Sequence, residues 1–388
     1  MEQPSMLDQL HALDEHVLAD VVRQDQCCLD FILTSWQVER LSDKGIVNPD
    51  GLFRFRGTGF DPDQKENERT WTVVLKNLQA PPEEVDVTNI WYWKREFLAF
   101  QSGLLNELPE GGVKAPRFYG SFEQENRVWL WMEYIRDIDP PRWSLQRFTD
   151  AALRLGRLNG AYLNGRSLPG YPWLSRDQGI TWTMDMSPEG VWDHPGVHQM
   201  FSPENLQRFR RLWKERERFF QAYHDLPQVF GHCDSGRRNH LFCLNSTGEE
   251  EMVSIDWAWC GIAPLGWDLT MLLPNSALLY EMEPEDLPGV EETAFPAYLE
   301  GLRSAGWQGD TRLVRLGYCV CSTLFPLLPS ARGVTLWYGD ETQTSILQMG
   351  CSYNEAAPGW RILNEYLLNL GEEALSLMEE LAIGSVTA

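Results

Sequence analysis

Short runs of β-branched and aromatic residues in the first third of the chain predict β-strands. Residues 71–76 form one such run, and residues 128–135 form a longer apolar run. Two further strands are predicted at residues 37–41 and 52–56, on either side of a polar loop. The chain up to residue 135 is therefore expected to form a mainly β-rich unit.

Apolar residues at helical spacing dominate the remainder. One stripe within residues 1–36 predicts a helical extension that packs on the β-rich unit, and another predicts a helix over residues 145–162. A charged amphipathic helix is predicted over residues 204–224, and the chain after Leu269 is expected to be helical. Residues 164–203 are rich in Pro, Gly and Trp without periodicity, which is typical of an insertion that shapes a substrate pocket.

One segment carries a recognisable set of reactive groups. His232, Asp234 and Asn239 follow the pattern His-x-Asp-x(4)-Asn, and Asp256 comes 17 residues after Asn239. In phosphoryl transfer one carboxylate accepts the proton of the attacking hydroxyl, while an amide and a second carboxylate hold the metal ions on the nucleotide. Runs at 241–244 and 252–255 flank turn residues and predict a β-hairpin that returns Asp256 to Asp234 and Asn239.

A kinase nucleotide site also needs a lysine on a strand and a glutamate on a helix to hold that lysine. Lys76 ends the strand predicted at 71–76, and Glu96 lies 20 residues later in a segment, 91–100, with helical periodicity. The apolar run at 128–135 then ends where a connection between two lobes is expected. The order of these features along the chain is that of a complete nucleotide site.

These motifs resemble those of the aminoglycoside phosphotransferase and choline kinase family, which are small-molecule kinases, over about residues 38–275. The resemblance implies an α+β, two-lobed protein-kinase-like fold. A small β-rich N-terminal lobe would cover 37–135 and end in a hinge, and a larger, mainly helical C-terminal lobe would cover 136–388. Residues 1–36 would form the helical extension.

The resemblance also implies ATP and Mg²⁺ as cofactors and assigns roles to single residues. Asp234 would be the catalytic base, Asn239 and Asp256 the Mg²⁺ ligands, and His232 a buried organiser of the loop. Asp268 matches the structural aspartate that the family has behind its metal site.

The hinge and the phosphate-covering loop follow from the same resemblance. The Glu133 carbonyl and the Ile135 amide would bind adenine, and Met132 would be the gatekeeper residue. The phosphate-covering loop is placed at residues 42–51, with Ser42 and Gly45. A rival Gly-x-Gly at residues 57–59 is interpreted as the opening of a turn at 61–69. The pattern Gly-x(4)-Gly-Lys-[Ser/Thr] of P-loop proteins does not occur in the sequence.

The chain departs from the family pattern directly after the base, where Arg237 and Arg238 stand. Either guanidinium could neutralise charge on the transferred phosphate and so act in catalysis. The alternative is that both arginines pair with acidic residues of the C-terminal lobe.

Charge and cysteine content limit the partners. The net charge of −23, from 33 basic and 56 acidic residues, repels nucleic acid and anionic membranes. It favours a cationic acceptor if carboxylates line the cleft, whereas a solvated acidic surface is the alternative interpretation. Eight cysteines without a C-x-x-C pattern or a signal peptide are typical of reduced cytosolic thiols. No apolar run reaches the ~20 residues that span a bilayer, so a cytoplasmic monomer or weak homodimer without membrane partners is expected.

The predicted function is ATP-dependent transfer of the γ-phosphate to a hydroxyl of a small molecule, such as an aminoglycoside, another antibiotic, choline or a sugar-like metabolite. A nucleotide-binding pseudokinase or regulator is one alternative, although the lysine, the base and the metal ligands are all present. A protein kinase is the other, but an Ala-Pro-Glu-like segment is lacking after Asp256 and the glycine loop is degenerate.

Overall fold

A five-stranded antiparallel sheet forms the N-terminal lobe of the protein in the computed structural model, which describes residues 6–41, 51–64, 67–140, 142–338 and 351–385. The strands follow the spatial order β1-β2-β3-β5-β4. Their bounds are β1 Ile32–Arg40, β2 Leu52–Phe60, β3 Glu68–Gln79, β4 Phe118–Gln124 and β5 Arg127–Glu133. The predicted mixed α+β architecture, with a β-rich N-terminal part and a helical C-terminal part, is confirmed.

Two helices cover the outer face of this sheet: α1 (Met6–His11) and α2 (Glu15–Asp25). Leu18 and Val22 of α2 are fully buried against Phe53 and Phe55 of β2 in a separate hydrophobic core. The helical extension predicted over residues 1–36 is too long, because β1 begins at Ile32. Strand β1 lies at the edge of the sheet and most of its side chains are exposed or half-buried, so it lacks the apolar alternation that marks a strand.

The interpretation of Gly57 and Gly59 as the opening of a turn is wrong, because both lie inside β2. Strand β1 carries a bulge between Leu33 and Ser35, which brings its backbone very close to β2. A Cβ on Gly57 would lie 2.0 Å from the Ser35 carbonyl oxygen. These glycines therefore permit close strand packing at a bulge.

Helix α3 (Arg95–Gln101) connects the sheet to the larger lobe. It begins later than the predicted 91–100 segment. Side-chain oxygens of Asp86 and Asn89 accept hydrogen bonds from the backbone amides of Thr88 and Trp91, and these local turns compete with the helix.

The C-terminal lobe is helical around the main hydrophobic core. Helices α4 (Leu145–Leu163) and α11 (Leu287–Ser304) run against each other so closely that a Cβ on Gly156 would lie 2.2 Å from the Tyr298 carbonyl oxygen. The segment 164–203 contains two short helices, and the charged helix predicted over 204–224 is in fact two helices that meet at Glu215. The bounds are α4 Leu145–Leu163, α5 Gln178–Asp185, α6 Pro195–Met200, α7 Pro203–Lys214, α8 Arg216–Asp225, α9 Trp267–Leu272, α10 Pro274–Leu278, α11 Leu287–Ser304, α12 Thr311–Ser322, α13 Ser330–Trp337 and α14 Tyr353–Leu381.

Four short strands lie between α8 and α9 and carry the predicted reactive segment. Strand β6 (Gln228–Gly231) pairs with β9 (Gly261–Pro264), and β7 (His240–Leu244) pairs with β8 (Glu250–Ser254). The predicted hairpin is therefore confirmed. Short 3-10 helices at Arg237–Asn239 and Trp257–Trp259 flank it.

Among the described residues, one helical stretch is long and apolar enough to cross a membrane. It is Thr311–Leu336, and 83% of its most apolar window is buried inside the protein. Burial of that extent is typical of a core helix.

Val22→Ala should lower the free energy of unfolding by about 1.5–3 kcal/mol, because the deleted carbons lose their burial and leave a cavity under α2. Urea denaturation measures this loss. Val17→Ala on the same helix is the matched control: its side chain is 41% exposed, and its effect should stay below about 0.5 kcal/mol. Equal losses in the two variants would contradict the packing of α2 on the sheet.

Candidate active site

Lys76 joins the two lobes at the centre of the cleft. Its Nζ lies 2.5 Å from Oε2 of Glu96 on α3 and 2.7 Å from Oδ1 of Asp256, which follows β8. The other carboxylate oxygen of Glu96 accepts a hydrogen bond from the Trp257 amide at 3.2 Å. Glu96 thus holds both the lysine and the backbone next to Asp256.

The charges of this triad stabilise one another. Burial alone would lower the pKa of Lys76, but Asp256 and Glu96 outweigh it and hold that pKa above its usual value. Burial opposes ionisation of Asp256, yet the Lys76 ammonium keeps the pKa of Asp256 below its usual range. For Glu96, burial dominates and raises the pKa. The lysine is therefore a firmly charged group in the cleft.

Asp234 and Asn239 are brought together by the loop after β6. Asn239 Nδ2 donates to Oδ2 of Asp234 at 2.9 Å and to its carbonyl oxygen at 2.8 Å. Burial raises the pKa of Asp234 to about 7, with a further increase from Asp256 and Glu281 that Arg238 and Asn239 oppose. A carboxylate with such a pKa suits a general base near neutral pH.

His232 organises this loop, as the resemblance implies. Its ring is fully buried, and burial lowers its pKa, so that the imidazole is neutral. Nδ1 accepts from the Asp234 amide at 3.3 Å and Nε2 donates to the Ile255 carbonyl at 2.9 Å. The histidine therefore links the base to the residue that precedes Asp256.

Asp268 at the start of α9 anchors the loop from behind. Its Oδ1 accepts from the Cys233 amide at 2.9 Å and from the Ser235 hydroxyl at 2.8 Å, and Oδ2 accepts from Asn159 at 3.0 Å. Cys233 has a φ of 64°, a conformation that costs energy for a residue with a side chain. The Asp268 hydrogen bonds hold the loop in that conformation. A Cβ on Gly231 would lie 2.4 Å from Oδ2 of Asp268, which explains the glycine.

The oxygen donors present fit a Mg²⁺ ion. Asn239 uses its Nδ2 toward Asp234, and its Oδ1 accepts no hydrogen bond from a described residue. Asp256 is ionised, and its side chain is 45% exposed to the cleft. Carboxylate and amide oxygens are ligands that Mg²⁺ prefers. Asn239 and Asp256 are therefore suited to hold the ion between them.

The predicted hinge follows directly after β5, which ends at Glu133. Met132 is buried in the main core. The Glu133 carboxylate accepts from Arg117 at 3.1 Å, which fixes the start of the hinge. The Ile135 amide donates to no other residue that the structure describes, as an adenine-binding amide requires. Ser42 and Gly45 of the predicted phosphate-covering loop lie outside the described residues.

The contacts of Arg237 favour the alternative interpretation, an ion pair with an acidic residue. Its guanidinium is buried, pairs with Asp137 at 3.1 Å, donates to the Pro140 carbonyl at 2.9 Å and stacks on the Trp143 ring at 4.6 Å. These contacts fix the Arg237 guanidinium against the hinge segment. Arg238 also has a carboxylate partner, since its Nε lies 2.5 Å from Glu281. Arg238 nevertheless acts on the charge of Asp234, so it lies near the base.

Sequence reasoning missed Arg95 and Glu281. Arg95 is fully buried and donates to four backbone carbonyls, those of Asn89, Ile90, Trp173 and Ala258. It thereby ties α3 to the chain just beyond Asp256. Its position next to Glu96 was the only sequence signal. Glu281, which raises the pKa of Asp234, lies in an acidic stretch that was not predicted to belong to the site.

The fold, and the grouping of Lys76, Glu96, Asp234, Asn239 and Asp256 at one cleft, are those expected of a kinase-type phosphotransferase. The sequence profile described as "Phosphotransferase enzyme family" (APH) matches residues 92–307, more than half of the chain. The protein belongs to this family, and the predicted family resemblance is confirmed. No curated protein sequence shows significant similarity to the chain.

Solved structures agree with the predicted fold. An aminoglycoside phosphotransferase from Alicyclobacillus acidocaldarius matches with a TM-score of 0.50 and 12% identity, over 88% of this chain and 93% of that one. A microcompartment-associated aminopropanol kinase matches with a TM-score of 0.48 and 15% identity, over 94% and 98% of the two chains. A choline kinase from Cryptosporidium parvum matches at 0.46 and 13%, over 95% and 96%. The family membership and the aminoglycoside phosphotransferase structure confirm the kinase-like fold.

Arg237→Met should lower the free energy of unfolding by about 3 kcal/mol, because Asp137 would lose its partner inside the protein. Chemical denaturation measures the loss, and kcat per folded molecule should stay near the wild-type value. Arg238→Met is the control, since its ion pair is more exposed and should contribute about 1 kcal/mol or less. A normal stability with a 100-fold lower kcat for Arg237→Met would restore its catalytic interpretation.

Proposed function

We propose that the protein is a Mg²⁺- and ATP-dependent kinase that transfers the γ-phosphate to a hydroxyl group of a small molecule. The observation that carries this proposal is the placement of Asp234, with its raised pKa, beside Asn239 and across from the Lys76, Glu96 and Asp256 triad. The proton-accepting carboxylate of Asp234 and the nucleotide-binding ammonium group of Lys76 then face the same cleft. The family membership supports the same class of reaction.

Each residue of the site has its own role in the proposed phosphoryl transfer. Lys76 binds phosphate oxygens of the nucleotide and is itself oriented by Glu96. Asn239 and Asp256 would hold Mg²⁺, which neutralises phosphate charge when bound. Asp234 orients the acceptor hydroxyl and accepts its proton at a carboxylate oxygen, while Asn239 fixes the orientation of that carboxylate. Arg238 pairs with Glu281 and lowers the pKa of Asp234, and it would add positive charge near the transferred phosphate.

A cleft next to Glu281 supports an acceptor that carries positive charge. Its volume is about 460 Å³, and Glu281, Glu283, Glu285 and Asp286 line it together with Arg142 and apolar side chains such as Trp143. Glu283 pairs with Arg142 and Glu281 with Arg238, so the carboxylates of Glu285 and Asp286 are the ones that would attract an amine. An amino alcohol or amino sugar, with a hydroxyl for the base and an amine for these carboxylates, fits this chemistry. Solved neighbours in the family include enzymes named for aminopropanol, choline and aminoglycosides.

Asp234→Asn should reduce turnover at least 100-fold while Mg-ATP binds with nearly unchanged affinity, because the base acts on the acceptor and general-base removal costs about 10²–10⁴ in rate. Asp256→Asn is the matched control. It should lose Mg-ATP affinity instead, since it removes a charged metal ligand. Calorimetric titration and an ATP-consumption assay with candidate hydroxyl compounds separate the two effects. Near-full turnover by Asp234→Asn would refute the assigned role.

The Glu283→Gln, Glu285→Gln double variant should raise the KM of a cationic acceptor about two- to fivefold per charge removed, because partly exposed charge pairs contribute up to about 1 kcal/mol. The KM for ATP should not change. Glu249→Gln, in the exposed β7–β8 turn, is the control; it removes one charge, so its effect is compared with the effect per charge of the double variant. Raising the salt concentration should weaken acceptor binding of the wild type but barely that of the double variant. An acceptor KM that is insensitive to both changes would indicate a neutral acceptor.

A further inference from the structure

A row of four side chains crosses the sheet of the N-terminal lobe next to the hinge. Glu39 pairs with Arg54, Arg54 with Val74, and Val74 with Met132, in register across β1, β2, β3 and β5. We call these four residues the ceiling row. Met132 stands one residue before the end of β5, so the row ends at the hinge.

The ceiling row faces the cleft between the lobes. Successive side chains of a strand point to opposite faces. Phe53 and Phe55, on either side of Arg54, are buried in the outer core under α1 and α2. Val74 and Met132 belong instead to the main core. The Arg54 side chain therefore starts from the face that covers the nucleotide site.

Arg54 lies at the end of the site that would bind the nucleobase, and away from the end that would bind the phosphates. Lys76, the phosphate-binding residue, pairs with Leu52 and follows Val74 by two positions on β3, about 7 Å further along the strand. Arg54 instead reaches the hinge, where Nη1 donates to the Tyr134 hydroxyl at 3.2 Å and the guanidinium lies 5.4 Å from the Tyr134 ring centre.

The guanidinium is held in place and remains partly accessible. Its Nη2 lies 2.5 Å and its Nε 2.7 Å from Oε1 of Glu39. The Arg54 side chain is 25% exposed. A guanidinium is planar and weakly hydrated, so it stacks on the face of a π system while it keeps its in-plane hydrogen bonds.

We propose that Arg54, oriented by Glu39 and Tyr134, stacks on the base of the bound nucleotide and is a determinant of nucleotide recognition in this enzyme. This inference rests on the proposed function, because it requires a nucleotide with its base at the hinge and its phosphates at Lys76. In this arrangement Arg54 contacts the nucleobase and Lys76 contacts the phosphates.

Binding titrations with Mg-ATP and with magnesium tripolyphosphate test this assignment, since the second ligand has phosphates but no base. Arg54→Met should weaken Mg-ATP binding about 3- to 30-fold, the range of a guanidinium stacked on a ring, and change tripolyphosphate binding less than twofold. Arg54→Lys keeps the charge but not the planar group, so it should resemble Arg54→Met. Tyr134→Phe should cause a smaller loss, of about twofold, for Mg-ATP alone.

Arg56→Met is the matched control. Arg56 lies on the same face of β2, is half-exposed and also contacts Glu39, at 3.6 Å, but it is two residues further from the Lys76 end of the strand. The Arg56→Met variant should bind Mg-ATP and tripolyphosphate with the affinities of the wild type. Thermal unfolding should show that all variants are folded.

Equal weakening of both ligands by Arg54→Met would overturn the proposal and assign Arg54 to the phosphates. Full Mg-ATP affinity in Arg54→Met, or in Arg54→Lys, would overturn it as well. A wild-type protein that binds tripolyphosphate and Mg-ATP equally would refute base recognition. A wild type that binds neither would refute the proposed kinase function itself.

Discussion

The ion triad of Lys76, Glu96 and Asp256 is the interaction on which the cleft depends. Its members come from β3, from α3 and from the end of the β7–β8 hairpin, so a single ammonium group connects both lobes. Glu96 is 1% exposed, and a buried carboxylate without its partner would be strongly unfavourable. The arrangement of the lobes and the position of Lys76 are therefore fixed together.

The reactive loop is held in strained backbone by hydrogen bonds from residues that do not themselves react. Cys233 and Asp256 both have left-handed φ values, 64° and 61°, and such conformations cost about 1–3 kcal/mol each. Asp268 accepts from the Cys233 amide, and Glu96 accepts from the amide that follows Asp256. These backbone conformations direct the side chains of Asp234 and Asp256 into one cleft. The hydrogen bonds to Asp268 and Glu96 stabilise the conformations.

The acidic composition has two separate causes. Many carboxylates form ion pairs with arginines at helix contacts, as in the pairs of Arg315 with Glu291 and Glu373. Of the carboxylates at residues 281–286, Glu281 and Glu283 pair with Arg238 and Arg142, whereas Glu285 and Asp286 line the cleft beside them. Net charge alone does not distinguish these two situations. The position of each carboxylate relative to the fold decides whether it stabilises the protein or attracts a ligand.

The sequence by itself determined the order of the site. Lys76, Glu96, Asp234, Asn239 and Asp256 were predicted because phosphoryl transfer needs these groups in a short motif and on patterned elements, whereas the hinge at Met132 was predicted from the family resemblance. Helix α4 and the β7–β8 hairpin were also predicted, since their apolar spacing is regular. Only the tertiary structure decided what each side chain contacts. The partners of Arg237, Arg95 and Arg54 lie on other elements, up to 163 residues away in the case of Arg95 and Ala258. The first half of β1, before the predicted strand at 37–41, and the bulge that requires Gly57 likewise depend on neighbouring strands, so no local pattern of residues records them.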